Sequence, residues 1–267
     1  MKRKYIYPLL IVLVTVVLYF LEMKVSEETK DYPSPAKDGI SAEFGNNLLP
    51  SSTTGAIVAH SYYTLSYSEI HEQAEWVAYE LRKDHIRKND FDRPYFIEDK
   101  DVNTKSAHWR NYKKSGYDRG HLCPAGDRGF DYEAYFETFL TSNISPQNHE
   151  FNAGVWNSLE QKVRYWAGRY NDVYVVTGGV LKNGLKTIGT ENVSVPEQFY
   201  KIVLDKSKGR YKVAAFLIPQ SAGKDSFYKY MTTVDKIEAL TGIDFFEQLP
   251  DDIENKIEAE SDSKFWK

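Results

Sequence analysis

An Asp-Arg-Gly-His run at Asp118, Arg119, Gly120 and His121 is followed by Asn143-Ile144-Ser145-Pro146-Gln147, then by Asn152, Trp156, Glu160 and Arg164. This polar density does not suit a core. Phosphodiester hydrolysis needs a base to deprotonate water, a cation for the leaving oxygen and a guanidinium for the non-bridging oxygens. His121 is the candidate base, because an imidazole of ordinary pKa near 6.5 is substantially neutral at pH 7. A lone histidine reads more simply as a satisfied core residue; the Arg-Gly before it and the amide and acid downstream reverse that preference.

The amide of Asn152 is a weak, neutral oxygen donor, which suits Mg²⁺ held partly by water and substrate phosphate, with Mn²⁺ as an alternative. Asn152 also stands where an amphipathic pattern begins, so a helix N-cap is the competing role, and position alone does not choose between them. Val155, Leu159, Val163 and Trp166 make a helical apolar stripe. Beside it Asn152, Trp156, Glu160 and Arg164 recur every fourth residue, drifting by about 40° per step, so one helix edge presents amide, carboxylate and guanidinium. Surface pairing with Glu160, four residues earlier, is the bland reading of Arg164.

The elements that must position these groups are partly visible. Residues 172–180, 198–205 and 211–218 are β-branched or aromatic runs bounded by turn residues and read as central strands, whereas 68–81 and 224–240 read as helices. Residues 1–24 hold a basic start and an apolar run at 6–21, an export signal. With no small-x-small cleavage site after it, the run reads as an uncleaved signal anchor; its shortness leaves a cleaved signal peptide as the alternative. Residues 25–54 resemble a linker, 55–250 form the folded domain, and 251–267 are a charged, frayed tail. The domain is placed outside a bacterial cytoplasmic membrane, anchored to it, or secreted or periplasmic after cleavage.

Length and composition limit the alternatives. The 267 residues, 42% hydrophobic and 15% aromatic, can bury one sizeable α+β core. A net charge of -4 argues against a protein that coats nucleic acid and leaves room for a local basic cleft. Cys123 is the single cysteine, which excludes an intramolecular disulfide and a multi-cysteine zinc site.

Taken together, these motifs resemble the DNA/RNA non-specific endonuclease family that includes endonuclease G and secreted bacterial nucleases. The match runs from residue 84 to 250 and extends to Tyr174-Val175-Val176-Thr177-Gly178-Gly179, Val195-Pro196, Phe199-Tyr200-Lys201 and Thr241-Gly242-Ile243-Asp244-Phe245-Phe246. The resemblance implies a ββα-metal nuclease fold, with a central antiparallel sheet flanked by helices, preceded here by the N-terminal hydrophobic helix. It implies that His121 activates water, Asn152 is the one direct protein ligand of Mg²⁺, and Glu160 orders metal-bound water. Arg119, Arg164 and Arg87 would contact phosphate, Asp118, Asn143 and Gln147 would shape the hairpin and its loop, and Trp156 would be core. DNA and RNA are the implied substrates, and the oligomeric state stays open, a homodimer included. Cys123, where a small residue is expected, and the individual stretch Asp127-Arg128-Gly129-Phe130 depart from the pattern without removing a catalytic group. Two other readings share these residues: a metal-dependent phosphoesterase of small esters, and an anchored nucleic-acid-binding protein that has lost catalysis.

Overall fold

The computed structural model describes residues 14–17, 48–206, 210–261 and 264–266. The chain divides into two compact units, 1–38 and 39–267. Within the first, residues 14–17 are helical; the rest of the expected anchor and most of the expected linker lie outside the described residues. Among the described residues no helix is long and apolar enough to cross a membrane.

The second unit is built on a seven-stranded antiparallel sheet, outside which lie a short helix α1 (Tyr132–Glu137) and the paired strands β7 (Thr187–Ile188) and β8 (Val193–Ser194). Its strands, in spatial order, are β1 (Ile57–Ala59), β2 (Thr64–Ser68), β3 (Gln73–Arg82), β6 (Asp172–Gly179), β9 (Gln198–Asp205), β10 (Lys212–Pro219) and β11 (Met231–Thr232). The strands expected at 172–180, 198–205 and 211–218 are β6, β9 and β10. The helix expected at 68–81 is instead the turn after β2 and the strand β3. Residues of β3 are buried on both sheet faces, Val77, Tyr79 and Leu81 on one and Trp76 and Ala78 on the other, so no polar alternation marks the strand in the sequence. The helix expected at 224–240 is likewise divided into a 3-10 turn (Phe227–Tyr230), β11 and α4 (Val234–Thr241). Thr233 caps α4 by accepting from the Lys236 N–H, and Gly242, at φ 71°, ends it in the left-handed region that favours glycine.

Because side chains alternate along a strand, each sheet face has its own core. On one face Val77, Tyr79, Val175, Phe199, Val203 and Phe216 pack against Trp156, Leu159, Val163 and Trp166 of the helix that follows the hairpin described below. On the other, Trp76, Tyr200, Ile202 and Ala215 pack against α4 and α5 (Asp251–Ala259). The domain begins before residue 55: Leu48 is buried, and the Ser51 carbonyl accepts from Trp76 Nε1 at 2.8 Å. Nor is the stretch from Asp251 frayed. Ile257 of α5 is buried, and Trp266 is fully buried against Trp166, its Nε1 donating to the Val213 carbonyl at 3.0 Å. One indole in core outweighs the charge around it, since burying a large aromatic side chain is worth about 2–3 kcal/mol.

Candidate active site

Two short strands outside the main sheet, β4 (Asp118–His121) and β5 (Ile144–Gln147), pair antiparallel with His121 opposite Ile144 and Gly120 opposite Ser145. Gly120 is required there: a Cβ would stand 2.2 Å from the Gln147 side chain. The buried Asn143 locks the exit of β4, its Oδ1 accepting from Cys123 N at 2.8 Å and its Nδ2 donating to the Cys123 and Thr138 carbonyls at 2.9 Å each. Asn143 and Gln147 thus shape the hairpin. Cys123 is buried and its thiol is pushed up to about 12, chiefly by that burial, so it is protonated at neutral pH.

His121 stands between aromatic rings, with Phe139 edge-on at 5.1 Å and Phe96 at 5.5 Å. Nε2 is buried without a hydrogen-bond partner, which leaves Nδ1 as the accessible ring nitrogen. Burial first, then the guanidinium groups of Arg93 and Arg119, lower its pKa to about 3. The imidazole is therefore neutral over the whole physiological range, because of its surroundings and not because of its ordinary pKa. Arg119 lies over the Phe96 ring at 4.7 Å, and Arg93 over the Phe96 and Phe139 rings at 5.7 and 5.6 Å. An anion held by these two cations would offset their field and restore basicity to His121.

After β5 the chain enters a helical turn, α2 (His149–Phe151), and then α3 (Asn157–Tyr170) across a kink at Gly154. The kink has a visible cause. The Gly223 carbonyl enters the helix and accepts from the Val155 N–H at 2.8 Å, and a Cβ on Gly154 would lie 2.5 Å from that oxygen. Asn148, not Asn152, occupies the N-cap position, and Asn152 is helical at φ -60° and ψ -51°. The capping role is excluded. Instead Asn152 Nδ2 donates to Asp118 Oδ2 at 2.9 Å, the oxygen that also bonds His149 Nδ1 at 2.9 Å. A carboxylate only accepts, so the amide nitrogen must face it, and Oδ1 is turned away with no protein partner.

Behind this edge lies a layer of charge. Arg164 does not pair with Glu160; its Nη1 donates to Asp127 Oδ1 at 2.7 Å, while Tyr79 donates to Asp127 Oδ2 at 2.8 Å. With Asp127 only 1% exposed, removing one partner of this pair should cost about 3–5 kcal/mol. Glu160 is pushed up to about 7, chiefly by burial and opposed first by Lys201. Lys201 is fully buried on the α3 face of β9, its Nζ 4.7 Å above the Trp156 ring and without a hydrogen bond. Desolvation lowers its pKa and Glu160 is the leading charge that raises it. Trp156 is fully buried core.

The structure thus gathers His121, Arg119, Asn152, Glu160 and Arg164 around the hairpin and helix. Arg87 is not gathered with them. It is exposed on the loop after β3, its carbonyl against Gly129, and no contact ties its guanidinium to His121. Arg93 holds that place. Asp127 and Lys201 are the other functional residues that the sequence did not single out; the strand parity of Phe199 and Val203 is the signal that places Lys201 toward the helix.

The model of the DNA/RNA non-specific endonuclease family matches residues 40–252. The chain belongs to that family. Among its relatives, the mitochondrial nuclease EXOG of Danio rerio is 36% identical over 211 residues, covering 71% of this chain and 60% of that protein. Nuclease C1 of Cunninghamella echinulata var. echinulata is 33% identical over 207 residues, 70% of this chain and 81% of its own. The chain spans between 45% and 62% of the length of the four mitochondrial EXOG relatives it matches. A crystal structure of the EndoG/EndoGI complex superposes with a TM-score of 0.68 at 29% identity, over 74% of this chain and 88% of that one. The non-specific endonuclease fold, ββα-metal, is therefore the fold of this chain, with β4, β5 and the kinked helix as its two strands and helix.

A divalent metal, which the family typically uses, finds a fitting donor here. Asn152 Oδ1 is a hard oxygen, held in orientation by Asp118 and left without a protein partner.

Proposed function

We propose that the protein is a Mg²⁺-dependent, sugar-non-specific endonuclease that hydrolyses phosphodiester bonds of DNA and RNA, with Mn²⁺ able to replace Mg²⁺. One observation carries the reading: a neutral imidazole with one accessible nitrogen, and an amide oxygen oriented by Asp118, sit on adjacent elements of one ββα unit. Bound at Asn152 Oδ1, the ion would polarise the phosphate and stabilise the departing oxygen.

The chain's own residues supply the rest. Arg119 and Arg93 flank the His121 ring and hold the non-bridging oxygens of the incoming phosphate, whose charge raises the basicity of Nδ1. His121 Nδ1 then takes the proton of the attacking water. Glu160, whose protonation the Lys201 charge opposes, orients water at the metal edge, and Arg164 keeps the turn at Asp127 in place. Such contacts grip the backbone of a nucleic acid and carry no sequence information. Residues 1–24 anchor the domain outside a bacterial cytoplasmic membrane in this reading, which fractionation of cells expressing the full chain would test: recovery in the soluble cytoplasm refutes it.

Digestion of supercoiled plasmid and of RNA by the purified protein, with and without chelator, tests the activity. Both substrates should be degraded and both reactions stopped by chelation. Hydrolysis of small phosphate esters with intact plasmid would favour the phosphoesterase, and binding without cleavage the silent binding protein.

A further inference from the structure

On the sheet face away from His121, five carboxylates converge from three segments: Asp235 and Glu238 of α4, Asp244 of the loop behind Gly242, and Glu254 and Glu258 of α5. Carboxylate oxygens of Asp235, Glu238 and Glu258 lie within 4.8 Å of one another, as do those of Asp244, Glu254 and Glu258, so Glu258 is common to both groups. Glu258 is only 7% exposed, and its Oε1 is buried without a hydrogen-bond partner. Among the described residues no lysine, arginine or histidine pairs with any of the five, and the side-chain hydrogen bond found there is accepted by Glu238 Oε1 from the Phe245 N–H at 2.9 Å. Burial first, then Glu238, Glu254, Asp244 and Asp235, push Glu258 up to about 8.

Like charges placed so close, with one member desolvated, must either take up protons or share a cation. The donors are all hard oxygens, on side chains long enough to approach an ion singly or in bidentate fashion. That set suits the six to eight oxygen ligands of Ca²⁺, at 2.3–2.6 Å, better than the tight octahedron of Mg²⁺. We propose that Glu258, with Asp235 and Glu238 on one side and Asp244 and Glu254 on the other, centres a binding site for a divalent cation of the size and hardness of Ca²⁺, separate from the Asn152 site. The family match ends at residue 252, so Glu254 and Glu258 belong to a C-terminal segment beyond it. That segment crosses to the other sheet face, where the Trp266 carbonyl accepts from Trp166 Nε1 at 3.0 Å and from the Tyr228 hydroxyl at 2.8 Å. The cation fastens this segment to the body of the domain.

The test uses the full chain carrying Asn152→Ala, which removes the donor at the other site, stripped with EDTA and dialysed. CaCl₂ or MgCl₂ is then titrated, with heat and melting temperature as readouts. Calcium at a hundred times Kd should raise Tm by about 5–10 °C, magnesium at the same concentration by clearly less. Glu254→Gln with Glu258→Gln should abolish the calcium heat and shift, and on the otherwise wild-type chain should leave Mg²⁺-dependent nuclease activity unchanged. If that pair fails to fold, Asp235→Asn with Asp244→Asn, both at exposed positions, should weaken calcium binding at least tenfold. Absence of calcium binding at 10 mM (about ten thousand times a micromolar Kd), or a shift that survives both pairs of substitutions, overturns the proposal.

Discussion

The two faces of the sheet treat charge in opposite ways. Beneath α3, Asp127 is paired with Arg164, and the Lys201 charge opposes the protonation of Glu160, so the carboxylates there lie in the field of fixed cations. At α4 and α5, two carboxylate triads meet at the buried Glu258, and among the described residues no basic side chain pairs with them. Matched charge marks machinery organised before its ligand arrives, whereas unmatched charge marks a place that needs the ligand to be at rest.

The largest effect expected on the matched face is that of His121→Ala, which should retain the fold and lower kcat about 10²–10⁴-fold; turnover near that of the wild type would break the assignment. Asp118→Ala frees the Asn152 amide, and should raise the Mg²⁺ concentration for half-maximal activity about 10–100-fold. An unchanged metal titration would show that the amide orientation does not matter. Arg93→Ala should lower kcat/KM roughly 10–100-fold, the value of a charge-assisted contact of about 1.5–3 kcal/mol. Arg87→Ala should stay within about twofold, and the reverse order would restore Arg87 to the site.

The smallest effect concerns pH. Glu160 has its folded pKa raised from 4.5 to about 7, so the stability it contributes is fully present below 4.5 and is lost as pH rises through 7. Denaturation of the metal-free protein should show that loss, and Glu160→Gln should remove it. Because burial and the guanidinium groups of Arg93 and Arg119 hold His121 far below the usual imidazole range, the acid limb of kcat/KM should follow Glu160. Lys201→Met should move this limb upward, because the cation opposing protonation is gone. A limb fixed near 6.5 in both proteins would return the titration to an ordinary histidine.

What the sequence revealed was chemistry tied to short spacings. The run from Asp118 to His121, the loop from Asn143 to Gln147 and the apolar stripe through Leu159 and Val163 sit within single elements, so their roles follow local geometry. The kink at Gly154 was hidden, since its cause is a carbonyl at Gly223, far along the chain. Arg93, Asp127 and Lys201 were hidden for the same reason: each matters through a partner brought from another element. Strand β3 reads as a helix in the sequence because both its faces are buried. The end of the chain reads as frayed because Trp266 is a single anchor in a charged stretch.

The central claim is that the site grips backbone phosphate and ignores both sugar and base. It is tested most directly by mapping cut positions on one sequence prepared as both DNA and RNA, over a range of salt, with Mg²⁺ and with chelator. The account predicts cuts at many positions on both polymers, none with chelator, and apparent affinity falling with salt at a slope of roughly -0.9 per neutralised phosphate on duplex DNA and about -0.7 on single strands. A single strict recognition site, or complete inactivity on either sugar, would contradict it.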